Sequence, residues 1–165
     1  LPPEGPVIIC ANHLNYLDAL GLVTAINRKV YFVAKEDLFN NGFFNWLAHV
    51  FDVIPIKRGM RDMDAMKRCL TILKNGEVLG IFPEGTRRGL ERNIKVPNGT
   101  AYMAIKTNTQ VVPVGIKGSF KPFTRVTLNF GKPIDFSKYN SKNPGKDDLD
   151  MATKEIMDNI IMLTK

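Results

Sequence analysis

Four short apolar runs set the terms for this chain: "VIIC" at 7–10, "VYFVA" at 30–34, "VLGIF" at 78–82 and "VVPVGI" at 111–116. Each has the length and apolar content of a buried strand, and helix-patterned sequence lies between them. Strands alternating with helices imply an α/β fold, a single layered domain whose mixed, largely parallel β-sheet is flanked by helices. At 165 residues the chain has the size of one domain, so 1–165 is read as one unit. Apolar residues at 44% and charged residues at 24% suffice for a packed core and exclude a disordered chain.

Periodicity then places the helices. "NYLDALGLVTAIN" carries Leu17, Leu20 and Ala25 or Ile26 at helical spacing, with Asn15 as the candidate N-cap. Residues 37–51 are aromatic-rich and predict one helix broken near Gly42, followed by the short apolar piece "VIPI". Over 61–74, Met63, Met66, Leu70 and Leu73 recur at three and four, and Asn75-Gly76 ends the run. "NGTAYMAIK" reads as a short helix and "TRVTLNF" as a half-buried strand alternating Val126, Leu128 and Phe130. Leu149, Ala152, Ile156, Ile160 and Leu163 form one stripe, which predicts an amphipathic helix on the sheet. Pro113 points to an edge or irregular position for its strand.

Lysine and arginine exceed aspartate and glutamate by 23 to 16, a net charge of +7. That excess favours an anionic partner such as phosphate, a coenzyme, an acidic protein or an anionic bilayer. The basic residues are scattered, with no cationic tract, zinc-finger or RNA-recognition signature, so nucleic acid is not expected as a partner. Only Cys10 and Cys69 are present, far apart in apolar surroundings, which excludes a disulfide scaffold and predicts two buried thiols in a reduced, cytosol-facing protein. No apolar run approaches the ~18 residues of a membrane span. The sequence starts without Met, almost directly on its first strand, so a natural N-terminal segment is expected to precede it.

Chemistry-bearing residues gather after the strands. In "IICANHLNYLDAL", His13 follows a buried strand, where open α/β sheets place their ligands. Asp18 stands five residues later. On one continuous helix residues five apart diverge by about 140°, so the pair can meet only if His13 precedes the helix that holds Asp18. Two readings stay open on this fragment: Asp18 orients His13 as a general base, or Asp18 caps the helix and His13 is a polar loop residue. A base needs a nucleophile. Ser119, Ser137 and Ser141 lie in no nucleophile-elbow motif, and Cys10 should point into the strand core, so a dyad that deprotonates a substrate hydroxyl is preferred to a serine or cysteine hydrolase.

The second cluster, "FPEGTRRG" at 82–89, again follows a strand. Pro83 and Gly85 shape a tight loop, Glu84 can orient hydroxyls or a neighbouring cation, and Arg87 can fork onto phosphate oxygens; the other reading is a surface turn with a local ion pair. A third, "VIPIKRGM", sets Lys57 and Arg58 beside Gly59, another candidate phosphate seat.

In this order, "NHLNYLD", "VIPIKRG", "FPEGTRRG" and "VVPVGI" resemble the four motifs of the glycerolipid acyltransferases, with the NHxxxxD and FPEGTR pair the specific part of the match. The likeness runs from about residue 7 to 134 and is best to bacterial 1-acyl-sn-glycerol-3-phosphate acyltransferases. It implies a glycerol-3-phosphate acyltransferase-like fold and transfer of a fatty acyl group from acyl-coenzyme A or acyl carrier protein to the 2-hydroxyl of lysophosphatidic acid, giving phosphatidic acid. Another acceptor, glycerol-3-phosphate or another lysolipid, and a non-catalytic lipid-phosphate binding module are the alternatives. The resemblance makes His13 the catalytic base and Asp18 its orienting acid. It assigns Arg58, Glu84, Gly85, Thr86 and Arg87 to acceptor binding, with Lys57 and Pro113 as further candidates. It implies no metal and no resident cofactor, the acyl thioester being a co-substrate, and a site of action on the cytoplasmic side of a membrane.

Two departures stand out. Asn15 replaces the serine or small polar residue of many members, and "NIKVPNG" replaces the usual lysine-rich stretch after FPEGTR. The aromatic segment, with Phe39, Phe43, Phe44, Trp46, Leu47 and Phe51, is read either as an interfacial patch or acyl-chain tunnel or as plain core. His49 is expected to be structural, and Met60, Met63 and Met66 to be flexible core packing.

Overall fold

The computed structural model describes residues 1–40, 42, 52–56, 62–118, 124–139 and 143–165. The expected helix over 37–51 falls largely outside them, as do Lys57, Arg58 and Met60. The strands are β1 (Val7–Ala11), β2 (Val30–Lys35), β3 (Ile54–Ile56), β4 (Val78–Ile81), β5 (Gln110–Gly118) and β6 (Val126–Phe130). The helices are α1 (Asp18–Ala25), α2 (Met63–Lys74), α3 (Gly99–Thr107) and α4 (Lys146–Leu163), and a short 310 helix (Glu36–Asn40) follows β2.

The strands form one sheet in the order β3-β2-β4-β1-β5-β6. All neighbours run parallel except the last pair, β5 and β6, which is antiparallel. The mixed, largely parallel sheet predicted from the alternating runs is therefore present. β1 is flanked by β4 and β5, and all five of its residues are buried. That explains why it reads as an unbroken apolar run: both of its faces are covered.

One face packs Ile8, Cys10, Leu79 and Val111 against Cys69 and Leu73 of α2, Ala104 and Ile105 of α3, and Ile156 and Ile160 of α4. The other face packs Val7, Ile9, Ala11, Val112 and Val114 against Leu22 of α1 and the following Ile26. Fully burying each of these Val, Leu or Ile side chains is worth about 1.5–3 kcal/mol. Gly80 lies opposite Phe32 in register, and a Cβ there would come within 2.5 Å of the Phe32 ring. The missing side chain lets that ring lie over the sheet.

Several expectations need correction. In α2 the buried line is Ala65, Cys69 and Leu73, whereas Met63 is 59% exposed. Small residues at 65 and 69 let the helix approach the sheet, which a reading weighted by bulky methionines misses. Asp62 caps α2 by accepting from the Ala65 N–H. Asn15 is not the N-cap of α1: the helix starts at Asp18 after Leu17, and Asn15 Oδ1 accepts instead from the Leu17 N–H in a turn before it. β6 keeps Val126 and Leu128 half-buried, but Phe130 is exposed.

Pro113 lies within β5, an interior strand. Its carbonyl accepts from the Gly131 N–H, so its missing donor faces the same side, where the ladder is interrupted between the Val114–Phe130 pair and the Val111–Ile134 bridge. No ladder bond is lost there. Among the described residues, no helix is long and apolar enough to cross a membrane.

Candidate active site

Polar side chains begin where β1 stops. Asn12 is buried and completes a reciprocal pair with one residue of β5: its Nδ2 donates to the Ile116 carbonyl at 3.0 Å, and its Oδ1 accepts from the Ile116 N–H at 2.6 Å. The side-chain amide thus mimics one more rung of the β1–β5 ladder and fixes the chain as it leaves the sheet.

His13 comes next, outside any helix, and α1 starts at Asp18. The geometry that the spacing demanded is therefore met. Asp18 is fully buried, and its Oδ2 takes His13 Nδ1 at 2.9 Å, the Leu14 N–H at 2.6 Å and the Asn15 N–H at 2.7 Å. Because Oδ2 already accepts from two backbone donors, it acts as acceptor for the ring too. This places the imidazole proton on Nδ1 and a lone pair on Nε2. Nε2 has no hydrogen-bond partner among the described residues, and the ring is 18% exposed. Asp18 Oδ1, also buried, has no partner there either. The Asp18 carboxylate does not cap α1, whose N-cap is Leu17; it holds the turn before the helix and the imidazole together.

The loop after β4 closes over this turn. Phe82 stacks on the His13 ring at 4.2 Å, and Phe32 stacks behind Phe82 at 6.1 Å, so the imidazole ends an aromatic row rising from the core. Glu84 is only 4% exposed; its Oε1 accepts from the His13 N–H at 3.2 Å and its Oε2 from the Leu90 N–H at 2.9 Å. Burial pushes its carboxyl above the usual carboxylate range, and the backbone N–H groups of His13, Leu90 and Gly89 partly offset that. The Arg88 N–H donates to the His13 carbonyl at 2.6 Å.

Arg87 is exposed, and its guanidinium lies 3.8 Å from the centre of the Tyr16 ring. Thr86 is half-buried, and Gly85 sits exposed in the turn with its N–H bonded to the Phe82 carbonyl. The structure thus brings His13, Asp18, Glu84 and, through Tyr16, Arg87 together beyond the carboxyl ends of the central strands β1 and β4. Pro113, opposite Cys10 in the sheet, belongs to the strand rather than to this cluster. Lys57 and Arg58 lie outside the described residues.

Cys10 is fully buried, and burial, helped by the charge of Glu84, pushes its thiol far above the ordinary range. It cannot supply a thiolate to the site. Cys69 is likewise buried, its thiol pushed up to about 11. Ser137 is exposed and donates its hydroxyl to Asp135. Sequence reasoning gave no role to Asn12, Phe82 or Tyr16. The signal for Asn12 was its place, a polar amide directly after five apolar strand residues and directly before the histidine.

The acyltransferase family model matches residues 1–117. The chain is 31% identical over 146 residues to the 1-acyl-sn-glycerol-3-phosphate acyltransferase of Streptococcus pneumoniae, covering 82% of this chain and 53% of that protein. It is 31% identical over 120 residues to a chloroplastic 1-acyl-sn-glycerol-3-phosphate acyltransferase of Arabidopsis thaliana, covering 72% of this chain and 33% of that one. The crystal structure of the 1-acyl-sn-glycerophosphate acyltransferase from Thermotoga maritima superposes with a TM-score of 0.66 at 25% identity, covering 98% of this chain and 68% of that one. The chain spans between a third and about half of the two curated relatives. The matched residues include the whole of the His13–Asp18 and Glu84–Arg87 cluster, and the chain belongs to the acyltransferase family.

Proposed function

We propose that this chain carries the catalytic centre of an enzyme that transfers a fatty acyl group from an acyl thioester, acyl-coenzyme A or acyl carrier protein, to the 2-hydroxyl of lysophosphatidic acid. The observation that supports it most directly is the 2.9 Å contact between His13 Nδ1 and the buried Asp18 carboxylate, which leaves Nε2 as the base. The names of the matched relatives supply the acceptor.

In this reading Nε2 takes the proton of the acceptor hydroxyl as its oxygen attacks the thioester carbonyl carbon. The tetrahedral adduct collapses with cleavage of the carbon–sulfur bond, and the proton on His13 passes to the departing thiolate. Asp18 stabilises the imidazolium between those events and holds the ring in one orientation. The buried, proton-bound Cys10 argues against a covalent acyl-enzyme on that residue. Arg87, exposed at the rim, has the charge and fork geometry for the acceptor phosphate. A membrane surface on its cytoplasmic side is the expected source of acceptor, consistent with the net charge of +7.

The test is to incubate the full-length protein with acyl-coenzyme A, or with acyl carrier protein, and lysophosphatidic acid, following free thiol and lipid product together. Equal release of thiol and phosphatidic acid, lost by a factor of about 10²–10⁴ in His13→Ala, is the expected result. Thiol release without phosphatidic acid would identify a thioesterase. A His13→Ala variant that keeps most of the rate would remove His13 from the base role.

A further inference from the structure

Glu84 is placed by resemblance among the acceptor-binding residues, yet its carboxylate is turned inward. Both oxygens accept from backbone N–H groups of this chain, one from His13 and one from Leu90, and the residue is 4% exposed. Gly89 presses against it so closely that a Cβ there would lie 2.5 Å from Oε2. At that exposure, and with Gly89 packed against it, the carboxylate offers the hydroxyl of an acceptor almost no open approach. An anionic phosphate would also meet a buried negative charge.

We propose that Glu84 is a positioning residue for His13 and does not bind the acceptor. The loop grips the His13 main chain on both sides: Glu84 accepts its N–H, while the Arg88 N–H donates to its carbonyl. Phe82, two residues before Glu84, supports the ring face, and Asp18 holds Nδ1. The His13 side chain has two rotatable bonds, and with its main chain, ring face and Nδ1 all held, Nε2 is fixed in space. Such fixation matters because placing a reacting group about 1 Å out of line can cost ~10²-fold in rate. Without Glu84 the His13 and Leu90 N–H groups lose their acceptor, and the turn carrying the base is free to shift.

This inference rests on His13 being the base. The experiment measures kcat and the acceptor KM separately for the wild type, Glu84→Gln and Glu84→Ala, with Arg87→Ala and His13→Ala alongside, all assayed well below their unfolding temperatures. The expected result is a kcat lowered about 10- to 100-fold in Glu84→Ala with the acceptor KM within about twofold of wild type. Glu84→Gln, whose amide oxygen can still accept one N–H, should recover part of that loss. Arg87→Ala should show the opposite split.

A nitrogen-15 spectrum of histidine-labelled protein supplies a readout that stability alone does not move. With only His13 and His49 in the chain, His13→Ala assigns the signal. The Nδ1-protonated form should dominate in the wild type and give way to mixed tautomers in the folded Glu84 variants. A raised acceptor KM with unchanged kcat, or unaltered kinetics and an unaltered His13 spectrum, would overturn the proposal. Full activity in His13→Ala would instead defeat the reading beneath it.

Discussion

The loops after β1 and β4 meet beyond the carboxyl ends of these two central strands but are built on opposite principles. In the first, nearly every polar group is committed inward: Asn12 to Ile116, His13 to Glu84 and Arg88, and Leu14 and Asn15 to Asp18. In the second, Glu84 alone among the charged side chains turns inward, and the side chains of Arg87, Arg88 and Arg92 remain exposed. Under the proposed function, the contrast separates two tasks. A base must be held to a fraction of an ångström, whereas cations that attract a phosphate act over several ångströms and gain from contact with solvent-borne ligand.

Substitutions in the first loop should therefore cost turnover, and those among the arginines should cost acceptor affinity. Asp18→Ala offers the hardest test, because it removes an acceptor from His13 and leaves the Leu14 and Asn15 N–H groups without a partner. We expect kcat to fall ~10²-fold or more, with stability lower by about 3 kcal/mol in denaturant unfolding. Unchanged turnover would end the claim that the imidazole needs orienting. Asn12→Ala comes next: it strands the buried N–H and carbonyl of Ile116, for an expected loss of about 2 kcal/mol and a drop in kcat of about tenfold at unchanged acceptor KM.

Arg87→Ala should raise the KM for lysophosphatidic acid about tenfold, corresponding to ~1.4 kcal/mol, and leave that for the acyl donor alone. An equal effect on kcat would erase the distinction between the loops. The smallest effect is expected at Arg88, whose φ of 56° lies in the left-handed region. There Arg88→Gly relieves strain and keeps the N–H that donates to His13, for a gain of about 0.5–1 kcal/mol in thermal unfolding with kcat unchanged.

The sheet and its helices were legible because burial on both faces writes β1, β4 and β5 as apolar runs, and α4 carries its stripe openly. The His13–Asp18 pair was legible for a local reason: five residues are few enough for geometry to decide what they can do. Glu84 and Asn12 were not, because their meaning depends on partners 71 and 104 residues away. No periodicity encodes such pairings. The misplaced stripe of α2 has another cause, since Ala65 and Cys69 are too small to dominate a hydropathy pattern yet fit the approach of helix to sheet. Asn15 shows the limit of capping rules, for the acid three residues on caps the turn in its place.

The reciprocal pair between Asn12 and Ile116 also bears on when the site comes into being. In a chain made from its N-terminus, His13 and Asp18 precede the strand that anchors Asn12, which arrives about a hundred residues later. Pairing across such separations is the slow part of folding. Appearance of activity in a refolding experiment would therefore time the docking of β5 beside β1. Any partly folded form lacking that contact would contain the histidine and its aspartate with the anchor for their turn still missing.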